Sequence, residues 1–351
     1  MKSLSKIILT FFLFCFSLST FALENLVYVL RSNSPDMITN TKNMLADLEN
    51  YHKKINIIVS QAYQVDERGI VWGFIDPKVL ADVKKYSMKL MPMITNAGFD
   101  KHKTHQFLSS PAAQKRAINY ILKACKQNNY YGVQFDFEMI SLDDKDVLTE
   151  FYQTAAKALH QAGLVVSFAV APLLTDDVPA KSDFLKKRYV TWEGAYDLKL
   201  LGESADFLTI MAYNQHEQGT APGPTASAQW VDAVIQFALQ YVPANKISLG
   251  IATYSGYWYT GASSGRIYLH MADMSYDKVN YLLERYHATL QWDDKDKVNY
   301  AMYEHNWLNE YIFVEDAKSF AAKLALAKKY HLRGISIFYI GIEDPNLWRE
   351  L

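Results

Sequence analysis

The 351-residue chain has a formal net charge of −1 at pH 7, a balance that argues against nucleic acid as a partner. Half of its residues are hydrophobic, enough for one large domain or two modest ones. Only Cys125 lies beyond the first 22 residues, so no internal disulfide staples the remaining chain, and its stability must come from packing.

Residues 1–22 read as a secretory signal peptide. Lys2 and Lys6 form a positive start, Ile7 to Phe16 a short apolar core, and Ser17 to Ala22 a small-residue cleavage site. The apolar core is too short to span a bilayer, and Cys15 inside it is not placed like a lipid-modified cysteine. No second long hydrophobic stretch follows. The expectation is a mature chain 23–351, secreted or periplasmic, without membrane attachment.

The remaining pattern alternates strand and helix. Asn25–Arg31 is a first apolar strand, Thr39–His52 an amphipathic helix and Asn56–Ala62 a second strand. Val71–Ile75 with Asp76-Pro77 reads as a small hairpin arm. Met88–Thr95 is a third strand, Ser109–Gln127 a helix, Gly132–Glu138 a fourth strand and Lys145–Ala162 a helix. Val165–Ala171, Asp206–Ala212, Lys246–Ala252 and Gly334–Ile340 supply four more strands, with helices over Ala228–Tyr241 and Asp316–His331. Eight strands alternating with helices predict an α/β fold, a (β/α)8 TIM barrel. A doubly wound open sheet would call for a glycine-rich turn after the first strand, and Ser32-Asn33-Ser34-Pro35 has no glycine. Strands seven and eight lie too far apart for one helix. Residues 261–313 therefore read as a small α+β insertion containing the helix Ser275–Tyr286.

The segment Tyr131–Glu138 carries the chemistry. Alternation puts Tyr131, Val133, Phe135 and Phe137 on one face and Gly132, Gln134, Asp136 and Glu138 on the other. Unpaired buried charge is costly, so two acids on one face of so apolar a strand call for a purpose. In a barrel the second face looks into the centre, with Glu138 highest and nearest the C-terminal rim where active sites gather. An ionised neighbour in a dry site raises a carboxyl pKa, which suits Glu138 to general-acid work and Asp136 to supporting it. Because both acids leave one strand face, they approach a substrate from the same side and do not form the opposed pair of ordinary glycosidases. The alternative is a buried pair neutralised by Lys or Arg inside the barrel.

Other clusters are poorer. His102 and His105 lack an acidic third ligand, so no metal is expected. Asp143, Asp144 and Asp146 read as helix caps, and Asp293, Asp294 and Asp296 as a solvated turn. Tyr254, Tyr257 and Trp258 follow strand seven at the active rim, where they either line sugar subsites or pack beneath the insertion. Trp192 is similarly open. The 24 Tyr, 18 Phe and 7 Trp include enough for stacking on sugar rings as well as for a core.

The stretch GVQFDFE resembles the catalytic strand of glycoside hydrolase family 18, the chitinase-like family, whose fuller pattern is DGxDxDxE. Gly132, Asp136 and Glu138 match, while Tyr131 and Gln134 replace two acids; an amide at the middle position resembles the spore-cortex and peptidoglycan-acting branch. Met211-Ala212-Tyr213-Asn214 is similar to the family's MxYD. Gln215-His216, Gly223-Pro224, Trp230-Val231, Lys246–Gly250, Gln291-Trp292-Asp293 and Gly334–Pro345 with Trp348 extend the likeness over most of Leu26–Trp348. The resemblance implies substrate-assisted retaining hydrolysis next to N-acetylglucosamine in peptidoglycan or a chitin-like polysaccharide. It implies Glu138 as acid and base, Asp136 and Tyr213 as orienting groups on the acetamido function, and Gln134, Met211, Asn214, Tyr254, Trp258 and Phe338 as substrate-binding. Asn214 stands in place of an acid and Phe338 in place of a tryptophan platform. No cofactor is expected, and the expected assembly is a monomer. A competing reading is a carbohydrate-binding protein on the same barrel, although lectin-like members usually lose the terminal Glu that this chain keeps.

Overall fold

The computed structural model describes residues 23–30, 41–180, 182–263 and 266–351. The signal-peptide expectation for 1–22 falls outside them. The strands are β1 (Glu24–Val29), β2 (Ile57–Val65), β3 (Val71–Gly73), β4 (Lys89–Asn96), β5 (Gly132–Asp136), β6 (Val165–Val170), β7 (Phe207–Ile210), β8 (Ile247–Ala252), β9 (Ser255–Ser263), β10 (Arg266–Met274), β11 (Gln291–Asp293), β12 (Val298–His305), β13 (Leu308–Val314) and β14 (Gly334–Phe338).

Eight of these are parallel neighbours in the order β1-β14-β8-β7-β6-β5-β4-β2, and β2 pairs back to β1, closing the barrel. Parallel pairing needs a crossover between successive strands, which the intervening helices supply. The closed ring buries both strand faces, which explains why the strands read as nearly continuous apolar runs. In β1, Val27 and Val29 pack outward under the helices while Leu26 and Tyr28 fill the barrel. In β5, Val133 and Phe135 join the outer layer, followed by Phe137, where Phe107, Phe151, Tyr152 and Phe168 surround them. Gly132 is required by close approach, because a Cβ there would lie 2.2 Å from the Val165 carbonyl oxygen.

Across the barrel interior runs a polar belt. Tyr28 donates to the Gln134 carbonyl at 2.6 Å, and the Gln134 amide donates to Ser167 at 3.0 Å and Thr209 at 3.1 Å. Thr209 continues to Ser336 at 3.2 Å, and Ser336 to Ser248 at 2.7 Å. Side chains of six strands thus satisfy one another where water does not reach.

Several local expectations change. β3 is a hairpin arm antiparallel to β2, but Asp76-Pro77 opens a helix, Pro77–Tyr86, with Asp76 accepting the Lys78 N–H at 2.8 Å. The sheet between β8 and β14 begins at Ser255 rather than Gly261. Its five antiparallel strands run β10-β9-β13-β12-β11, with the helix Tyr276–Arg285 packing Val279 and Leu282 against Met274, Ile312 and Val314. Asp144 occupies the N-cap position of the helix Lys145–Gln161 but makes no side-chain cap. Its carboxylate instead lies 2.6 Å from His105 Nδ1, pairing the histidine that could have been read as a metal ligand. Asp293 does form a turn, accepting the backbone N–H groups of Lys295 and Asp296 at 2.8 and 2.9 Å. No helix among the described residues is long and apolar enough to cross a membrane.

Candidate active site

β5 ends at Asp136, and the next two residues climb onto the rim with their backbone held by side chains. The Phe137 N–H donates to the Tyr152 hydroxyl at 3.3 Å, and the Phe137 carbonyl accepts the Tyr196 hydroxyl at 2.7 Å. Asn96, at the end of β4, accepts the Glu138 N–H at 3.0 Å and donates to its carbonyl at 2.9 Å. Past the ladder, these contacts replace the missing strand partners. Met139 then turns away at φ 55°. Glu138 is therefore fixed at the mouth of the barrel with Asp136 one step below.

Asp136 is buried and Glu138 half-buried, both enclosed by the cavity wall. Burial pushes Asp136 up to about 7, and its Oδ1 has no hydrogen-bond partner. Burial and then the charge of Asp136 push Glu138 well above the usual carboxylate range. The two acids titrate as a pair, and burial together with the Asp136 charge favours the proton on Glu138. The nearby Trp192 indole N–H pulls the other way, favouring ionised Glu138, and it has no hydrogen-bond partner of its own. Arg188 holds that indole in place. Its guanidinium lies 4.9 Å over the Trp192 ring, bonds Glu193 at 2.5 Å and Glu217 at 3.1 Å, and donates to the Asn214 carbonyl at 2.9 Å.

The acids open into a cavity of about 500 Å³ whose floor is aromatic. Tyr213 lies flat on Phe338, with ring centroids 4.9 Å apart and planes 10° apart, and Tyr28 meets the same ring edge-on at 5.3 Å. The Phe338–Tyr339 peptide is cis. Asn214, at φ 59°, takes a left-handed conformation that asparagine tolerates, and its side-chain oxygen accepts the Tyr254 hydroxyl. Met211 and Ala169 complete the inner wall, and Phe99, Met139 and Phe184 the rim.

The structure thus gathers Glu138, Asp136, Met211, Tyr213, Asn214, Tyr254 and Phe338 in one cavity. Two expected substrate-binding residues fall outside it. Gln134 is completely buried in the polar belt, with its amide and carbonyl already bonded, so it supports the floor from below. Trp258 is 1% exposed, and its indole donates to the Gly223 carbonyl at 3.2 Å, so it packs beneath the insertion. Trp192 resolves toward the site. Tyr28, Arg188 and Asp273 also line the cavity and had no sequence signal of their own. Asp273 comes from β10, the insertion's edge strand, which the loop after β7 holds through Gln218. The Gln218 amide donates to the Leu269 carbonyl at 3.0 Å and accepts the Met271 N–H at 2.9 Å. Asp273 stays open to the water of the cavity, yet the enclosing protein pushes its carboxyl up to about 6 by desolvation. Among the described residues no group of three or more His, Cys, Asp or Glu side chains is arranged to hold a metal.

A closed parallel barrel with stacked acids at its C-terminal mouth and an aromatic floor has the form of an enzyme of the glycosidase class, and comparison with known proteins shows which family. The chain belongs to glycosyl hydrolases family 18, which matches residues 10–342. It is 25% identical over 311 residues to the uncharacterized glycosylase YvbX of Bacillus subtilis (strain 168), covering 87% of this chain and 86% of that protein. It is 26% identical over 263 residues to the cortical fragment-lytic enzyme of the same strain, covering 74% of this chain and 58% of that longer protein. The structure superposes on the spore cortex-lytic enzyme SleL of Bacillus megaterium QM B1551 with a TM-score of 0.78 at 26% identity, covering 93% of this chain and 72% of that one. A chitinase of Chromobacterium violaceum ATCC 12472 gives a TM-score of 0.80 at 24% identity over 94% of this chain and 98% of its own, a likeness of fold.

Proposed function

We propose that the protein is an exported hydrolase that cleaves β-1,4 bonds next to N-acetylglucosamine, in peptidoglycan ahead of chitin, by a substrate-assisted retaining mechanism. The observation that carries this reading is the Asp136–Glu138 stack: a carboxyl at the mouth whose burial and acidic neighbour favour its protonated form, and a second acid beneath it on the same side. A pair arranged this way supplies a proton donor but no opposed nucleophile, and a neighbouring 2-acetamido group fills that role.

Glu138 donates its proton to the leaving glycosidic oxygen as that bond breaks. The acetamido carbonyl oxygen attacks the anomeric carbon, giving an oxazolinium ion. Asp136 receives the acetamido N–H and balances the developing positive charge from beneath the mouth of the cavity. The Tyr213 hydroxyl supports the acetamido oxygen, and the sugar rests on Phe338. Glu138, now ionised and favoured in that form by the Trp192 N–H, then takes a proton from water as the water opens the oxazolinium ring.

The cortex-lytic names among the relatives support peptidoglycan, and the chitinase likeness supports the common N-acetylglucosamine unit. The test is product release from purified peptidoglycan and from N-acetylglucosamine oligomers by the wild type and Glu138→Gln. Release by wild type alone is expected. Equal release by both would remove Glu138 from the chemistry, and none by either would leave only carbohydrate binding. A thiazoline analogue of the oxazolinium ion is expected to inhibit, and an active enzyme indifferent to it would rule out the acetamido route.

A further inference from the structure

Asp273 is an acid that the mechanism above does not use. It lies in the active cavity but belongs to the insertion rather than to the barrel, reaching the site from β10 opposite Gly256 of β9. The Tyr254 hydroxyl, in the same cavity, is already committed to the side-chain oxygen of Asn214. The two cations on the cavity wall offer it no partner: Arg188 is bound to Glu193, Glu217 and the Asn214 carbonyl, and Lys187 makes no ion pair among the described residues. The Asp273 side chain takes part in no hydrogen bond or ion pair among the described residues and is open to the cavity. Gln218 fixes the backbone at Leu269 and Met271, just before it, so the carboxylate is held on a braced strand rather than a loose loop.

The charge of the cavity narrows what such a group meets. Of the two cations at this wall, Arg188 is already held by Glu193 and Glu217, which leaves little positive charge for an anionic ligand group. An ionised carboxylate has acceptors only, so its complement is a donor.

Resting on the hydrolase reading, we propose that Asp273 is a substrate-binding residue that accepts a hydrogen bond from a donor on the bound glycan, either a sugar hydroxyl or the protonated amine of a de-N-acetylated glucosamine unit. The barrel then carries the bond-breaking acids, and the insertion reads a second feature of the glycan.

The test is calorimetric titration of fully acetylated and partly de-N-acetylated N-acetylglucosamine pentamers into Glu138→Gln and into Glu138→Gln/Asp273→Asn, with thermal melts to confirm folding and Asp273→Ser as a second neutral variant. Roughly ten-fold or greater weakening is expected on removing the carboxylate, the size of a hydrogen bond to a charged group. Equal loss with both pentamers identifies a hydroxyl donor, and loss confined to the de-N-acetylated one identifies the amine. Unchanged affinity for both, or no binding of either pentamer to Glu138→Gln, would overturn the proposal. With Asp273→Asn alone, KM is expected to rise while kcat holds within a few-fold. A collapse of kcat at unchanged affinity would place Asp273 in the bond-breaking step and overturn this binding role. If wild type hydrolyses nothing yet binding still depends on Asp273, the hydrolytic reading fails and the binding role stands.

Discussion

Gln134 and Tyr28 meet across the barrel interior, the tyrosine hydroxyl donating to the glutamine carbonyl at 2.6 Å one layer below Asp136. The glutamine amide is equally committed to Ser167 and Thr209. A carboxylate at this position could accept from Tyr28 but could not donate onward, and it would set a third acid under Asp136. Gln134→Glu is therefore expected to lower stability by about 2 kcal/mol or more, read from the urea midpoint at pH 7. The loss should shrink at pH 4, where the new carboxyl is protonated.

Glu138→Gln separates chemistry from folding. Release of reducing ends should fall at least about 100-fold, the usual scale of a general acid. The variant should melt at the same temperature as wild type or higher at pH 7.5, because the amide removes an acid that the folded cavity resists ionising.

Asp136 couples activity to stability through pH. Its folded pKa of about 7 lies above the unfolded value near 3.9, so the native state binds more protons between them. Its contribution is most favourable below about pH 4 and is lost as pH rises through about 7. Asp136→Asn should flatten that part of the stability curve measured by urea unfolding from pH 4 to 8, while cutting kcat by roughly 100-fold or more.

The stack of Tyr213 on Phe338 can be dissected. Tyr213→Phe keeps the ring contact and should melt like wild type, yet lose about ten-fold or more in kcat if the hydroxyl supports the acetamido oxygen. Phe338→Ala removes the platform and its edge contact with Tyr28, and should cost about 2–3 kcal/mol as well as raising KM. Paired melting and steady-state measurements distinguish the two.

Outside the residues that line the cavity, Asp47 faces Glu343, which accepts the Gly341 and Ile342 N–H groups at 2.5 and 2.9 Å and the Trp348 indole at 2.9 Å. Burial, and then the Glu343 charge and hydrogen bond, push Asp47 up to about 8. The folded state thus prefers this proton up to about pH 8, and stability is lost as pH rises from about 4 through that value. Asp47→Asn should make the protein more stable at pH 8.5 and leave it nearly unchanged at pH 4, as measured by thermal melts at both.

The sequence made the barrel legible because period and length agreed: short apolar runs separated by helical stretches leave few architectures. It made Asp136 and Glu138 legible because two acids on one face of such a strand conflict with burial. The same alternation correctly turned Gln134 inward, but it could not distinguish the floor of a cavity from the layer beneath it. Trp258 misled because a tryptophan near an active rim has the same local pattern whether it faces sugar or, as here, the Gly223 carbonyl. Asp273 and Arg188 were invisible because their placement depends on contacts between segments far apart in sequence, such as Gln218 with Leu269 and Met271. The insertion began earlier than expected because Thr253 and Tyr254 pass directly from β8 into β9 with no intervening helix.

Gln218 has one more consequence. β10 is the outer strand of its sheet, and an open strand edge invites pairing with another chain. By offering an acceptor to Met271 and a donor to Leu269, the Gln218 amide imitates one residue of a neighbouring strand and occupies part of that edge. The side chain that braces the cavity wall thereby also shields part of this edge from sheet-to-sheet association.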